Sequence, residues 1–199
     1  MMFFDSLEKI KEEVLNCRRC SLYKTRKNPV VGEGNIKAKI IFIGEAPGRN
    51  EDRQGVPFCG KAGKILDELL DAAGLKREEI YITNILKCRP PNNRDPEEEE
   101  IASCTPFLDR QLRLISPKII CCLGNFSTRY IMGNFDFKNI SGISRLHGKV
   151  FYFKEIRVIP LYHPAVATYN PQMGKILEED FKKIKKVLED EVKDSYIKW

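Results

Sequence analysis

Three side chains standing at the ends of apolar runs are the residues best placed to do chemistry in this chain. Glu45 follows Ile40-Ile41-Phe42-Ile43-Gly44, Asn84 lies within the run Ile80 to Leu86, and His163 follows the run Ile156 to Tyr162. A carboxylate can take or hold a proton, a carboxamide can donate and accept at once, and an imidazole can donate to a developing anion. An amide near the end of a buried strand is costly unless its hydrogen bonds are satisfied, so Asn84 either caps the following loop or reads a ligand. A lone histidine at an apolar strand end is commonly structural, and only a shared cleft gives it a catalytic reading.

Glu45 opens the stretch GEAPGRNEDRQGVPFCGKAG, Gly44 to Gly63, which holds three acids, two prolines and five glycines. An ordinary strand-to-helix connection needs only about 2 to 6 residues. Glycines let backbone approach a ligand closely, and prolines stiffen a loop so that its amides are already aimed. Phe58, between Pro57 and Cys59, reads either as a core residue or as a platform against which a flat ligand stacks.

Cysteine spacing suggests a second centre. Cys17-Arg-Arg-Cys20 is a C-x2-C pair, and Cys88 and Cys104 also lie outside the apolar runs. Four such thiols suit either a zinc tetrahedron or a [4Fe-4S] cluster. Cys121 and Cys122 sit inside an apolar run and read as packing. Cys59 neighbours the site without assigned chemistry. His147, in Arg-Leu-His-Gly-Lys, falls in a turn and takes no role.

The elements that must position these groups follow from periodicity. Runs 40–43, 80–86, 119–123 and 156–162 are nearly continuous in apolar residues, as strands covered on both faces are. Helical patterns cover Leu7 to Leu15 behind a cap at Asp5 or Ser6, Lys64 to Ala73 before Gly74, Pro96 to Ile115, and Ile176 to about Val192. Pro106 should kink or divide the third of these. A hairpin around Gly148 is expected to join a weak strand to the last one. Strand and helix alternation predicts an α/β fold, a three-layer α/β/α sandwich around a mostly parallel sheet of about four strands, forming a single domain over residues 1–199. Ligands in such folds sit beyond the carboxyl ends of the strands, so Gly44 to Phe58, Asn84, Gly124-Asn125 and His163-Pro164 should line one cleft.

Composition narrows the classes. The net charge of +6, from 34 basic and 28 acidic residues, permits a polyanionic partner without identifying one. The lysines at 182, 183, 185 and 186 read as the solvated face of the last helix. No long uncharged run is present and the N-terminal stretch mixes acids and lysines into its apolar pattern. A membrane span and an export signal are therefore not expected, and the cytoplasm is the expected location. There, metal ligation or burial is the better reading of seven cysteines than disulfides.

GEAPGRNEDRQGVPFCGKAG, TNILKCRPP and LYHPA, together with Cys17, Cys20, Cys88 and Cys104, resemble the family 4 uracil-DNA glycosylases, the iron-sulfur branch of that superfamily. The match runs in order from about Cys17 to about Pro171. It implies a DNA repair enzyme that flips uracil out of DNA and hydrolyses its N-glycosidic bond, leaving an abasic site without cutting the strand. It also implies a [4Fe-4S] cluster on the four cysteines. Phe58 would stack on the base, Asn84 would meet uracil N3-H and O4, His163 would lie near O2, and Ala46 would form part of the pocket. Glu51 would close the pocket around C5 and so exclude thymine. The superfamily's best-studied branch carries a water-orienting aspartate one position after Glu45, and here that position is Ala46. Orienting water, steadying a cationic sugar and holding the loop are the roles open to Glu45.

DNA contacts are carried over more loosely. Arg49, Lys61, Lys87 and Arg89 are placed to take phosphates, and the segment Pro164 to Pro171 would enter the minor groove, with Val166, Ala167 or Tyr169 filling the vacated stack. The expected partner is uracil-containing DNA, single- or double-stranded, acted on by a monomer, with a replication clamp as a further partner. Three alternatives stand beside this one. A non-glycosylase [4Fe-4S] nucleotide-binding or electron-transfer protein would hold a cluster but release no uracil. A family 5 glycosylase would lack the acid at Glu45, and a zinc-stabilised nucleotide hydrolase would hold zinc.

Overall fold

The computed structural model describes residues 5–137 and 140–196, and six strands form its single sheet. They are β1 (Glu33–Gly34), β2 (Ile40–Gly44), β3 (Tyr81–Asn84), β4 (Ile119–Leu123), β5 (Phe151–Phe153) and β6 (Ile156–Leu161). Their order across the sheet is β1-β3-β2-β4-β6-β5. The four inner strands run parallel, and β1 and β5 are antiparallel edges. The helices are α1 (Leu7–Leu15), α2 (Arg49–Gln54), α3 (Lys61–Ala72), α4 (Glu98–Ile115), α5 (Asn125–Gly133), α6 (Ile143–Leu146), α7 (Val166–Tyr169) and α8 (Gln172–Tyr196).

Because successive side chains in a strand face opposite ways, the continuous apolar runs supply two cores at once. Ile41, Ile43, Ile120, Cys122 and Val158 pack with Ile10, Val14, Phe107 and Leu108 of α1 and α4. Ile40, Phe42, Ile119, Cys121 and Leu123 pack on the other side with Leu66 and Leu70 of α3 and with Leu177, Phe181 and Ile184 of α8. The expected three-layer sandwich is thus present, and both cysteines of β4 are packing residues.

Specific polar contacts set the outer elements. Ser6 caps α1 by accepting from Lys9 N at 3.1 Å, and Glu97 with Glu100 forms a capping box at the start of α4. Arg110 of α4 bonds both Asp5 and Glu13, which clamps α1 onto α4. His147 Nδ1 lies 2.6 Å from Asp180 Oδ2 and Lys183 Nζ 2.8 Å from Asp180 Oδ1, so the histidine given no role anchors α8. Lys182, Lys183, Lys185 and Lys186 are exposed, as a solvated face requires. No helix among the described residues is long and apolar enough to cross a membrane.

Four expectations need correction. The edge strands bring the count to six; β1 is two exposed residues, too short to leave a periodic signal. The hairpin turns at Lys154 and Glu155, where Lys154 has φ 52, rather than around Gly148. Pro106 does not divide α4. It lies with Ala102 on the exposed face, so the carbonyl that loses its donor faces water. Finally, α3 begins at Lys61, three residues earlier than its apolar pattern, because Gly60 already provides the helix entry.

Phe181 is fully buried and stacks on Phe42 of β2 with ring centroids 5.7 Å apart. Replacing it by alanine should lower unfolding free energy by about 3–5 kcal/mol. Chemical denaturation measures that loss; a change near zero would mean that α8 does not hold the sheet.

Candidate active site and cysteine centre

The ends of β2, β3 and β6 open onto one cavity of about 390 Å³. That size falls within the ~300–1,000 Å³ of small-molecule sites. Glu45, Ala46, Glu51, Phe58, Lys61, Asn84 and His163 all line it. A larger groove of about 920 Å³ lies at the opposite, amino-terminal end of β4 and β6, among Leu112, Ile120, Phe135 and Phe153. Its lining also holds Arg113, Lys118, Asp136, Lys154 and Glu155 but none of the strand-end groups Glu45, Asn84 and His163, so the smaller cavity is the functional candidate.

Phe58 owes its place to an unusual backbone. Its φ of 49 is in the left-handed region, and Arg77 holds the loop by donating to the carbonyls of Pro57 at 2.8 Å and Phe58 at 3.4 Å. A Cβ at Gly63 would collide with the Phe58 carbonyl, and one at Gly44 would collide with Asn84 Oδ1 while lying 3.0 Å from Phe58 Cζ. Those two glycines let ring, strand end and helix start close together. The Phe58 ring stacks near His163 with centroids 5.5 Å apart and planes 28° apart.

Asn84 is 2% exposed, and since no buried side-chain nitrogen or oxygen among the described residues lacks a partner, its carboxamide, which bonds no protein group, opens into the cavity rather than into sealed packing. It faces the cavity with donor and acceptor both free. His163 is oriented by its own loop, because Ala165 N donates to Nδ1 at 3.2 Å. In a neutral ring this leaves the proton on Nε2, ready to donate. Burial holds the imidazole pKa down to about 4, only partly opposed by the Glu51 carboxylate.

The two acids differ. Glu45 is half-buried, and burial with the nearby Asp95 charge raises its pKa to about 7. Glu51 sits in the first turn of α2 and accepts from Gly60 N at 2.9 Å, at the start of α3, where a carboxylate is favoured. Cys59 Sγ is 3.9 Å from the same Glu51 oxygen.

The cation and wedge candidates separate. Arg49 and Arg89 line a small cleft with Lys27, Arg53 and the carboxylate of Asp52, reached along the chain from the cavity wall at Gly48 and Pro90. Lys87 is contradicted as a phosphate contact: it is 1% exposed and its ammonium bonds Thr83 Oγ1, the Asn84 carbonyl and Gln111 Oε1. Burial pulls its pKa down to about 8. Val166 and Ala167 pack against the core on the α8 side, whereas Tyr169 is 88% exposed at the cavity lip. Gly124 and Asn125 do not line the cavity. Gly124 N bonds Leu161 O, and Asn125 Oδ1 accepts from Ile143 N, so this strand end serves the neighbouring turns.

Residues that sequence reasoning missed are Asn93 and Arg94 in the cavity wall, Lys27 and Arg53 in the basic cleft, and Arg77 behind Phe58. Pro90-Pro91-Asn92-Asn93 did carry a turn signal, and both asparagines have positive φ, 56 and 53.

Cys17, Cys20, Cys88 and Cys104 line one hollow closed by Val14, Leu22, Leu86 and Phe107. All seven cysteines are free. Burial raises the pKa of Cys20, of Cys88 and, to about 12, of Cys104. Thiols in so dry a place ionise only with a compensating positive group. Arg26 Nη1 already donates to Cys88 Sγ at 3.1 Å and Lys87 N to Cys104 Sγ at 3.2 Å. Among the described residues no three Cys, His, Asp or Glu side chains are close enough to hold one ion. A tetrahedral zinc would bring its four sulfurs to ~3.8 Å from one another. A cubane places its ligands on separate irons, and four thiols lining one hollow supply the donors for either group.

The sequence profile of the Uracil DNA glycosylase superfamily matches residues 31–190. The chain belongs to the uracil-DNA glycosylase superfamily. A type-4 uracil-DNA glycosylase of Sulfurisphaera tokodaii is 55% identical over 92% of this chain and 85% of its own length. Those of Archaeoglobus fulgidus and Saccharolobus solfataricus are each 52% identical, covering 90% and 92% of this chain and 92% and 87% of their own. Within the superfamily, then, the chain stands with the type-4 branch.

If Glu45 acts as a base, its charge form controls the rate. A group of raised pKa is protonated below that value, so activity should fall about tenfold per pH unit below roughly 7. His163, with its lowered pKa, adds no step between about pH 5 and 8. A pH profile of kcat/KM checks both: Glu45→Gln should be slow and lose that limb, and a limb unchanged in the variant would remove Glu45 from the chemistry.

Proposed function

We propose that this chain excises uracil from DNA by hydrolysing the N-glycosidic bond, leaving an abasic site and an intact strand. The observation that carries the proposal is the convergence of Phe58, Asn84 and His163 on one cavity in a chain that stands with the type-4 branch. The proposal treats residues 1–199 as one domain, since both cores share one sheet.

The reaction separates charge. As the C1′–N1 bond breaks, electrons pass to the uracil ring and its O2, and the sugar becomes cationic. Phe58 supplies a face on which the everted base stacks. Asn84 accepts from N3-H and donates to O4, the reverse of what cytosine presents. The Nε2–H of neutral His163 donates to O2, stabilisation of the oxyanion-hole kind. Glu45, at a pKa of about 7, is suited to orient and deprotonate the attacking water or to steady the sugar cation. Glu51, fixed by the Gly60 amide, stands as the wall that a C5 methyl would meet.

Tyr169 is the best of the three wedge candidates, because it alone is exposed at the cavity lip. Arg49, Arg89 and Lys61 remain phosphate candidates, with Lys27 and Arg53 added to them. The four cysteines are proposed to hold a [4Fe-4S] cluster. Such a cluster, when bound, would supply a crosslink between the segment that follows α1, the Cys88 segment and α4; glycosidic hydrolysis transfers no electrons and needs none from it.

Incubation with oligonucleotides bearing uracil, cytosine or thymine at one position, followed by alkali, tests the proposal. Breakage should be confined to the uracil strand and be lost in Asn84→Ala, whereas breakage retained in full by that variant would remove the base-reading assignment. In the same assay Glu51→Ala should begin to admit thymine, and Tyr169→Ala should slow excision from duplex more than from single strands. Purified protein should carry iron, and Cys104→Ser should lose it; zinc instead of iron would revive the hydrolase alternative.

A further inference from the structure

Lys87 is the buried charge that the chemistry above leaves unused. No carboxylate is among its partners: its Nζ donates to Thr83 Oγ1 at 2.6 Å, Gln111 Oε1 at 2.7 Å and the Asn84 carbonyl at 2.8 Å. Burying an ammonium costs far more than burying a methionine of similar length, unless each proton is used. Here all three are used, and the acceptors are themselves anchored. Thr83 Oγ1 and Gln111 Nε2 both donate to the Val31 carbonyl, at 2.9 Å each, and Gln111 Nε2 reaches Tyr81 OH at 3.3 Å. The ammonium therefore sits in a rigid frame joining β3 to α4.

The frame has one end in the base pocket. Asn84 is the last residue of β3, and its carbonyl is the group that Lys87 holds. Fixing that carbonyl fixes the peptide plane after Asn84, hence the angle at which the residue presents its unpartnered carboxamide to the cavity. The other end is in the cysteine centre: the Lys87 amide donates to Cys104 Sγ, and Cys88 is the next residue.

We propose that Lys87 is a positioning residue for base recognition, a joint that sets the Asn84 carboxamide against the frame of the cysteine centre. The inference rests on the assignment of Asn84 as the base-reading residue, and it assigns the lysine no contact with DNA.

The test compares parent, Lys87→Met, Thr83→Val and Asn84→Ala, each purified with its metal centre. Readouts are inhibition by free uracil, single-turnover excision, binding to a uracil-free single strand, and iron per chain. Lys87→Met should weaken uracil inhibition and slow excision by roughly tenfold or more, since hydrogen bonds from a charged donor to a strand end are strong. Binding to the uracil-free strand and iron content should stay at parental values, which a loss of fold would not allow. Uracil inhibition within about twofold of parent, or excision lost only in step with iron, overturns the inference. Should Lys87→Met fail to fold, Thr83→Val decides. It keeps the charge and removes one acceptor, so a few-fold weaker uracil inhibition at constant iron supports the role and an unchanged value overturns it. If Asn84→Ala keeps parental uracil inhibition, the base-reading assignment itself is wrong; if only Asn84→Ala loses it, the fault lies with Lys87 alone.

Discussion

At Gly44 the central strand must end without a side chain, because the Asn84 carboxamide and the Phe58 ring stand where a Cβ would be. Everything about the site is arranged around that contact. A ring from the long loop and an amide from the neighbouring strand meet over a bare piece of backbone, so both face the same hollow. The same economy recurs at Gly63, where α3 starts against the Phe58 carbonyl. Arg77 then holds the turn in its left-handed conformation from behind. These are short-range steric conditions, and interiors packed near crystal density enforce them strictly.

The polar groups around this contact fall into two kinds. Lys87, Gln111 and Thr83 are buried and fully engaged with one another, so they serve as framework. Asn84 is buried with its carboxamide unengaged among the described residues, and the Nε2 side of His163 is left to donate. Among the described residues no buried side-chain nitrogen or oxygen lacks a partner, so these open groups reach the cavity itself, where a ligand can supply the complementary groups. The pattern of satisfied and open groups distinguishes a scaffold from a recognition surface within a few ångströms. The two acids of the loop differ in their surroundings: Glu51 accepts from a helix-start amide, whereas burial and the Asp95 charge push the pKa of half-buried Glu45 up to about 7.

Much of this was legible in the sequence, for physical reasons that also mark its limits. Continuous apolar runs at 40–43 and 119–123 announced strands covered on both faces, and that fixed which loops share the carboxyl end of the sheet. Glu45, Asn84 and His163 follow from that rule. Gly124 and Asn125 obey the same rule of position yet do not line the cavity, and their polar groups are taken by Leu161 and Ile143. Lys87 misled for a related reason: a lysine followed by a cysteine and an arginine reads as surface charge, and only tertiary contacts show three acceptors around it. Edge strand β1 and the helical turn α7 are too short to leave any period. The cysteine set was legible as four thiols outside the apolar runs, and they do line one hollow, but spacing along a chain does not distinguish zinc from a cluster.

The central claim is spatial: a phenyl ring, a carboxamide and an imidazole form one receptacle for a pyrimidine. A crystal structure of the protein soaked with free uracil measures this directly. The account predicts the ring flat against Phe58, with N3 and O4 at the Asn84 carboxamide and O2 within hydrogen-bonding distance of His163 Nε2. Uracil found instead in the groove beside Leu112 and Phe153, or seated with its edge turned away from Asn84, would contradict it.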